Sequence, residues 1–279
     1  MSTELTLKHI FHPTDLSEAS KTAFLHALRI AVASHASLTI LHVGGHREDW
    51  DEMPQVRRTL KNWGLLKDDM DTNEFLSLGL GVKKLLAHGT DPLQTCVEYL
   101  ERHPTDLVVL ATNQEGENMG WMKRKVAEPL LRASGATTLF IPHDRTGFVE
   151  PSTGAVGLKR VLLPIAPDPD PLQAIRAATL MADHLALENP DFTLLFVGPQ
   201  AEMPAPSWPE RNGWTWKRTS REGDVVATIL AVEKEMHADL IVMATKGHDG
   251  FLDALRGSTT ERVLRGASCP MLTGVVLPA

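Results

Sequence analysis

The feature that most restricts this chain is that it is written twice. His9-Ile-Phe-His-Pro-Thr-Asp15 aligns with Arg160-Val-Leu-Leu-Pro-Ile-Ala166 at an offset of 151, and Leu38-Thr-Ile-Leu-His-Val43 with Phe192-Thr-Leu-Leu-Phe-Val197 at an offset of 154. Further along, Asp91, Asp106, Ala111, Thr112 and Glu128 return at an offset of 133 as Asp224, Asp239, Ala244, Thr245 and Glu261. Strands and the helices after them keep their register, while the middle of the unit shortens. A length of 279 residues suits two such units, each large enough for its own core. The expected domains are 1–146 and 157–279. The stretch 143–157 between them is rich in Gly, Pro, Ser and Thr and reads as a linker.

Within each unit, short apolar runs bounded by turn residues alternate with longer segments of helical period. That alternation predicts βαβ units on a parallel sheet. Strands are expected at 8–13, 37–43, 82–88, 107–112 and 137–142, and again at 159–165, 191–197, 214–220, 239–244 and 271–276. Phe24, Leu28 and Ala31 form one core-facing stripe, and Leu172, Ile175 and Ala182 form its counterpart. Leu93, Cys96, Val97 and Leu100 after Asp91, and Val225, Ile229, Val232 and Met236 after Asp224, read as two further faces packed on the sheet. The second unit lacks room for a helix between its second and third strands. Residues 198–213 carry Pro199, Pro204, Pro206 and Pro209, which no regular helix tolerates, so a Pro-rich crossover is expected.

Composition removes several functions. With 28 Lys and Arg against 35 Asp and Glu, the net charge is -7, and no basic cluster offers a surface to a nucleic-acid backbone. Neither a spanning helix nor a secretory leader is legible, so a cytoplasmic protein without a membrane partner is expected. The 2 cysteines, Cys96 and Cys269, stand singly and suit reduced core thiols. His42 with His46, or His9 with His12, shows no ligand spacing of a structural metal. No Gly-x-Ser-x-Gly elbow or paired base marks a nucleophile, and the chain is not expected to be an enzyme. Trp208, Trp214 and Trp216 could stack on a base, or cover a sheet edge or core gap.

In open parallel sheets, ligands sit outside the carboxyl ends of the strands. The turn after the fourth strand of the second unit is the most informative. Ile241-Val-Met-Ala-Thr-Lys-Gly247 leads through nine residues to Gly257-Ser258-Thr259 and a helix. Glycines let backbone amides approach an anion, and a helix N-terminus adds unpaired N–H groups, so phosphate fits. Ser258 and Glu261 also form a capping box, which accounts for the serine with no ligand.

At these residues both units resemble the universal stress protein family, and the whole chain resembles its tandem members. The likeness rests on Pro13-Thr14-Asp15, on Leu41-His42-Val43, on Asp239-Leu-Ile-Val-Met-Ala with its glycine loop, and on Ala267-Ser-Cys-Pro-Met-Leu272. It implies an α/β fold: two flavodoxin-like, Rossmann-like, doubly wound domains in tandem. Each would hold a five-stranded, mostly parallel sheet, and the last strands would meet across a pseudo-twofold as an internal pseudo-dimer. A homodimer of the whole chain is compatible with this arrangement.

Nucleotide-binding members show Gly-x2-Gly-x9-Gly-Ser/Thr after the fourth strand; here it reads Ala244-x2-Gly247-x9-Gly257-Ser258. The resemblance places phosphates on Gly247, Gly257, Ser258 and Thr259, and a base on Val197, with Pro164, Ile165, Met243 and Ala244 around them. Ala166 replaces the adenine-contacting Asp; Asp168 and Asp170 nearby are either ligand contacts or helix N-terminal charges. The first unit keeps Asp15 and Val43 but has Gln114, Arg124 and Lys125 in place of the glycines, so it reads as nucleotide-free. Arg124 and Lys125 either start a solvated helix or, with Trp121, form a small basic patch. Two functions follow. One is a stress-response sensor or regulatory module that binds an adenine nucleotide, ATP foremost, in its C-terminal domain, with no metal beyond a nucleotide-associated Mg. The other is a nucleotide-free scaffold acting through unidentified protein partners; a further reading, a slow ATP hydrolase, needs a water-activating group that the sequence does not identify.

Overall fold

The computed structural model describes residues 6–44, 49–89, 91–112, 136–143, 145, 147–245 and 259–274. Among them, one ten-stranded sheet runs through the molecule in the order β3-β2-β1-β4-β5-β10-β9-β6-β7-β8. The first half supplies β1 (His9–Thr14), β2 (Ser37–Val43), β3 (Gly81–Ala87), β4 (Leu107–Thr112) and β5 (Thr137–Pro142). The second supplies β6 (Arg160–Ile165), β7 (Asp191–Val197), β8 (Thr215–Arg221), β9 (Leu240–Ala244) and β10 (Met271–Gly274). All pairings within a half are parallel. The seam between the halves is antiparallel: Phe140, Leu139 and Thr138 of β5 face Met271, Leu272 and Thr273 of β10. The expected pseudo-twofold contact of the last strands is therefore present, and Thr273 Oγ1 donates to the Thr138 carbonyl across it at 3.4 Å. Strand ends fall within one or two residues of the expected positions, apart from 275 and 276, which lie outside the described residues.

Helices cover both faces, because each buried strand alternates its side chains between two cores. One core gathers α1 (Glu18–Ser34), α3 (Val56–Asn62) and α6 (Pro171–His184) around Ile10, Phe24, Leu60, Leu163 and Ile175. The other gathers α5 (Pro92–Arg102), α7 (Val225–Glu235) and α8 (Thr259–Gly266) around Phe11, Cys96, Ile229 and Val263. Both cysteines are buried and free, and burial pushes the Cys96 thiol up to about 12. Each helix face carries the expected stripe with one correction. Val225 is 42% exposed and Val226 takes the buried position, because Asp224 caps α7 and turns its first residue outward.

The repeated aspartates have structural work. Asp91 and Asp224 cap α5 and α7 by accepting from the amides of Gln94 and Ala227. Asp106 Oδ2 accepts from the amides of Lys8 and His9, and Asp239 Oδ2 from those of Lys159 and Arg160. Each thus satisfies the first donors of a central strand.

The crossovers differ as expected. In the first half, α2 (Asp49–Glu52), α3 and α4 (Thr72–Ser77) lie between β2 and β3. In the second, residues 198–214 hold only the 3₁₀ turn Gln200–Glu202. There the tryptophans cover the sheet: Trp216 stacks on Phe192 at 4.1 Å, Trp208 on Trp216 at 5.6 Å, and Trp214 lies 5.2 Å from Phe192. Of the two expected roles, they take the cover.

The segment read as a linker is a packed strap. Val149 bridges Val156, Gly157 donates to the Phe148 carbonyl, and Phe148, Val149 and Leu158 are buried. His26 of α1 donates from Nδ1 to the Thr22 carbonyl, and its Nε2 accepts from the amides of Phe148 and Val149 at 3.1 and 3.3 Å. Trp63 Nε1 donates to the Pro151 carbonyl. Gly147 and Gly154 have positive φ, and a Cβ at either would meet His26 or Trp63 within 2.5 Å.

Candidate functional site: the crevice at the carboxyl end of β6 and β9

Chain direction reverses its winding at β6, which lies between β9 and β7, and at β1, which lies between β4 and β2. These are the topological switch points of the two sheets. The ladder between β6 and β9 pairs only Val161 with Leu240 and Leu162 with Ile241, whereas β6 and β7 stay paired from Arg160 to Ile165. Beyond Leu162 the pairing stops, which leaves the carboxyl ends of the two strands where a crevice is expected. The pairing of β1 and β4 stops likewise after Phe11 and Val108.

The structure brings the described candidates to this end of the second half. Pro164 and Ile165 end β6, Val197 ends β7, Met243 and Ala244 end β9, and Thr259 begins α8. Ile165 and Met243 are buried, while Pro164, Val197, Ala244 and Thr259 are half-buried. Gly247, Gly257 and Ser258 lie outside the described residues, as do Gln114, Trp121, Arg124 and Lys125 of the first half. Asp170 is the helix charge of its two expected roles: it caps α6 by accepting from the Leu172 amide at 2.9 Å.

One positioning residue escaped the sequence reading. Thr245, next to Ala244, is 5% exposed, and both its amide and its hydroxyl donate to the Gly274 carbonyl. This double contact ties the end of β9 to the end of β10. Gly274 in turn packs against α6, where a Cβ would stand 3.1 Å from that of Ala177. The recurrence of Thr112 at Thr245 was the available signal.

At the matching strand ends of the first half, side chains make hydrogen bonds of their own. His12 is buried and donates from Nδ1 to the Val109 carbonyl at 3.0 Å, spanning the gap where β1 and β4 separate. His42 donates from Nδ1 to the Thr14 carbonyl at 2.8 Å. Asp15 Oδ1 accepts from the Ser17 amide at 3.0 Å and from the hydroxyls of Ser17 and Ser20 at 2.5 Å. Burial alone would raise the Asp15 pKa, but these hydrogen bonds outweigh it and hold the carboxyl below its usual range. Pro13, Val43 and Ala111 are buried where Pro164, Val197 and Ala244 are half-buried. Among the described residues, no group of three His, Cys, Asp or Glu side chains is placed to hold a metal ion. None of the described helices is long and apolar enough to cross a membrane.

Comparisons with known proteins agree with this architecture. The universal stress protein from Archaeoglobus fulgidus DSM 4304 is similar over 95% of this chain and 97% of its own, at 17% identity and a TM-score of 0.60. A functionally unknown protein from Pseudomonas aeruginosa PAO1 is similar over 96% of this chain and 92% of its own, at 14% identity and a TM-score of 0.60. The cytoplasmic domain of a prokaryotic cation chloride cotransporter is similar over 96% and 95%, at 12% identity and a TM-score of 0.51. At such identities the likeness concerns the fold. No curated protein matches the chain. The sequence model of the universal stress protein family matches residues 6–142 and 209–273, more than half of the chain and part of each repeat. With two flavodoxin-like domains in tandem, the chain belongs to the universal stress protein family.

Proposed function

We propose that the C-terminal half binds an adenine nucleotide in the crevice between β6 and β9, and that the chain works as a sensor or regulatory module rather than as a catalyst. The observation that carries this reading is the parting of β6 from β9 beyond Leu162, with Val197 and Ala244 half-exposed at the opening. The backbone of Val197 would meet the base, Pro164, Ile165 and Met243 would wall it, and Gly247, Gly257, Ser258 and Thr259 would receive the phosphates at the start of α8. ATP is the first ligand to test, with any Mg arriving on the nucleotide.

The test is to denature freshly purified protein, identify any released small molecule by mass spectrometry, and then titrate ATP calorimetrically into wild type and Gly257→Asp. A carboxylate set against the phosphates should weaken binding by about 100-fold or more. No released nucleotide together with no ATP heat would refute the proposal.

A second reading is a nucleotide-free scaffold. It draws on the first-half strand ends, where His12 Nδ1, His42 Nδ1 and Asp15 Oδ1 are engaged by the protein's own backbone and hydroxyls. Retention of nucleotide by the full chain would remove it for the second half and leave it for the first.

A further inference from the structure

At the opposite end of the second-half sheet, near the amino ends of β6, β9 and β10, lies a groove of about 640 Å³. Arg145, Arg160, Glu233, Lys234, Asp239 and Cys269 are among its lining residues. Asp239 is fully engaged there: the Arg160 guanidinium donates to both of its oxygens, besides the two amides already described. Glu233 is different. It is 2% exposed, and its Oε1 accepts from the Ser268 amide at 3.0 Å and from the Ser268 hydroxyl at 2.5 Å. Its Oε2 is buried with no hydrogen-bond partner. No cationic side chain forms an ion pair with it among the described residues.

A buried carboxylate without a counter-cation is costly. The helix adds to the cost, since Glu233 stands in the last turn of α7, where the dipole disfavours negative charge. Nor does the fold demand a carboxylate here. The repeat places Leu100 at the matching position of α5, and it is buried as an ordinary core residue. Glu233 is therefore a departure from the repeat that engages one oxygen with Ser268 and leaves the other without a partner. Cys269 offers no alternative chemistry, because burial and the neighbouring Glu233 carboxylate push its thiol up and keep it protonated. Around the rim, Arg145 and Lys234 are exposed cations.

We propose that this groove is a binding site for a small basic amino acid or close analogue, whose guanidinium or ammonium head donates to Glu233 Oε2 and whose carboxylate meets Arg145 and Lys234. The buried acceptor selects the head group, and the rim selects the acid. This site is independent of the crevice between β6 and β9.

The test is calorimetric titration of the full chain with L-arginine and with agmatine, which keeps the guanidinium and lacks the carboxylate. L-arginine should bind saturably, and Glu233→Gln, which keeps the shape and removes the charge, should weaken it by about 10-fold or more. Lys234→Glu alters an exposed residue and leaves the fold intact. It should weaken L-arginine and strengthen agmatine, each by about 3-fold or more. The proposal is overturned if L-arginine shows no saturable binding, if Glu233→Gln binds it as wild type does, or if Lys234→Glu shifts both probes in the same direction.

Discussion

At the switch point of the first half, His12 reaches from β1 to the Val109 carbonyl of β4; at that of the second half, Leu163 stands in the same place and donates nothing. At the same offset of 151, His26 of α1 corresponds to Ala177 of α6. One half has thus placed neutral imidazoles where the other holds apolar or small side chains. The difference teaches how a duplicated unit can divide labour. One half bridges its strand ends with its own hydrogen bonds, and the other leaves Pro164, Val197 and Ala244 half-buried there.

Acid should separate the halves most strongly. Burial lowers His12 and His26 from an ordinary 6.5 to about 4 in the folded protein, so the unfolded chain takes up these protons first. Their stabilisation is complete above about pH 6.5 and is lost as pH falls toward 4, at about 3 kcal/mol per histidine. No carboxylate raises His26; only the Thr22 carbonyl does, and a second ring proton would confront the Phe148 and Val149 amides. Amide exchange at pH 7.5 and pH 4.5 should show the first half opening while the second holds. Equal acceleration in both would break the comparison.

The next effect lies in the opposite half. Trp216→Ala removes the middle of the stack on Phe192 and should destabilise the protein by about 2–3 kcal/mol, read by urea unfolding, with early exchange confined to β7 and β8. Stability within a few tenths of wild type would mean that the Pro-rich crossover needs no aromatic cover.

A smaller asymmetry concerns the strand anchors. Asp106→Ala should cost about 1–2 kcal/mol through two lost amide acceptors, and Asp239→Ala should cost about 1 kcal/mol more because it also strands the Arg160 guanidinium. Equal losses would show that the exposed ion pair adds nothing. Smallest is Ser17→Ala, which removes the cap on the Ser20 amide and one donor to Asp15, at about 1 kcal/mol by thermal unfolding. A rise in stability would contradict the capping role.

Much of this architecture was legible because repetition exposes it. Apolar runs ending at Pro13-Thr14-Asp15 and Pro164-Ile165-Ala166 fixed two central strands, and paired aspartates fixed two helix starts. Less legible was the choice between Val225 and Val226, since both are compatible with Ile229 and Val232 at helical spacing, and only the cap at Asp224 decides. The strap was missed for a different reason. Gly, Pro, Ser and Thr describe its turns, but its placement depends on Phe148 and Val149 finding His26, a contact between residues remote in sequence. The candidate site was half legible: Pro164, Ile165, Val197, Met243 and Ala244 do converge at strand ends. The groove at Glu233 was invisible, because a glutamate near a helix end reads as surface until the turn at Ser268 is seen to bury it.

The antiparallel seam has one more consequence. Since β1 to β5 run one way and β6 to β10 the other, their carboxyl ends point to opposite poles of a single sheet. The two crevices therefore face away from each other. A molecule held at the northern cap of such a body would leave the southern cap free, so two occupants would not compete for room.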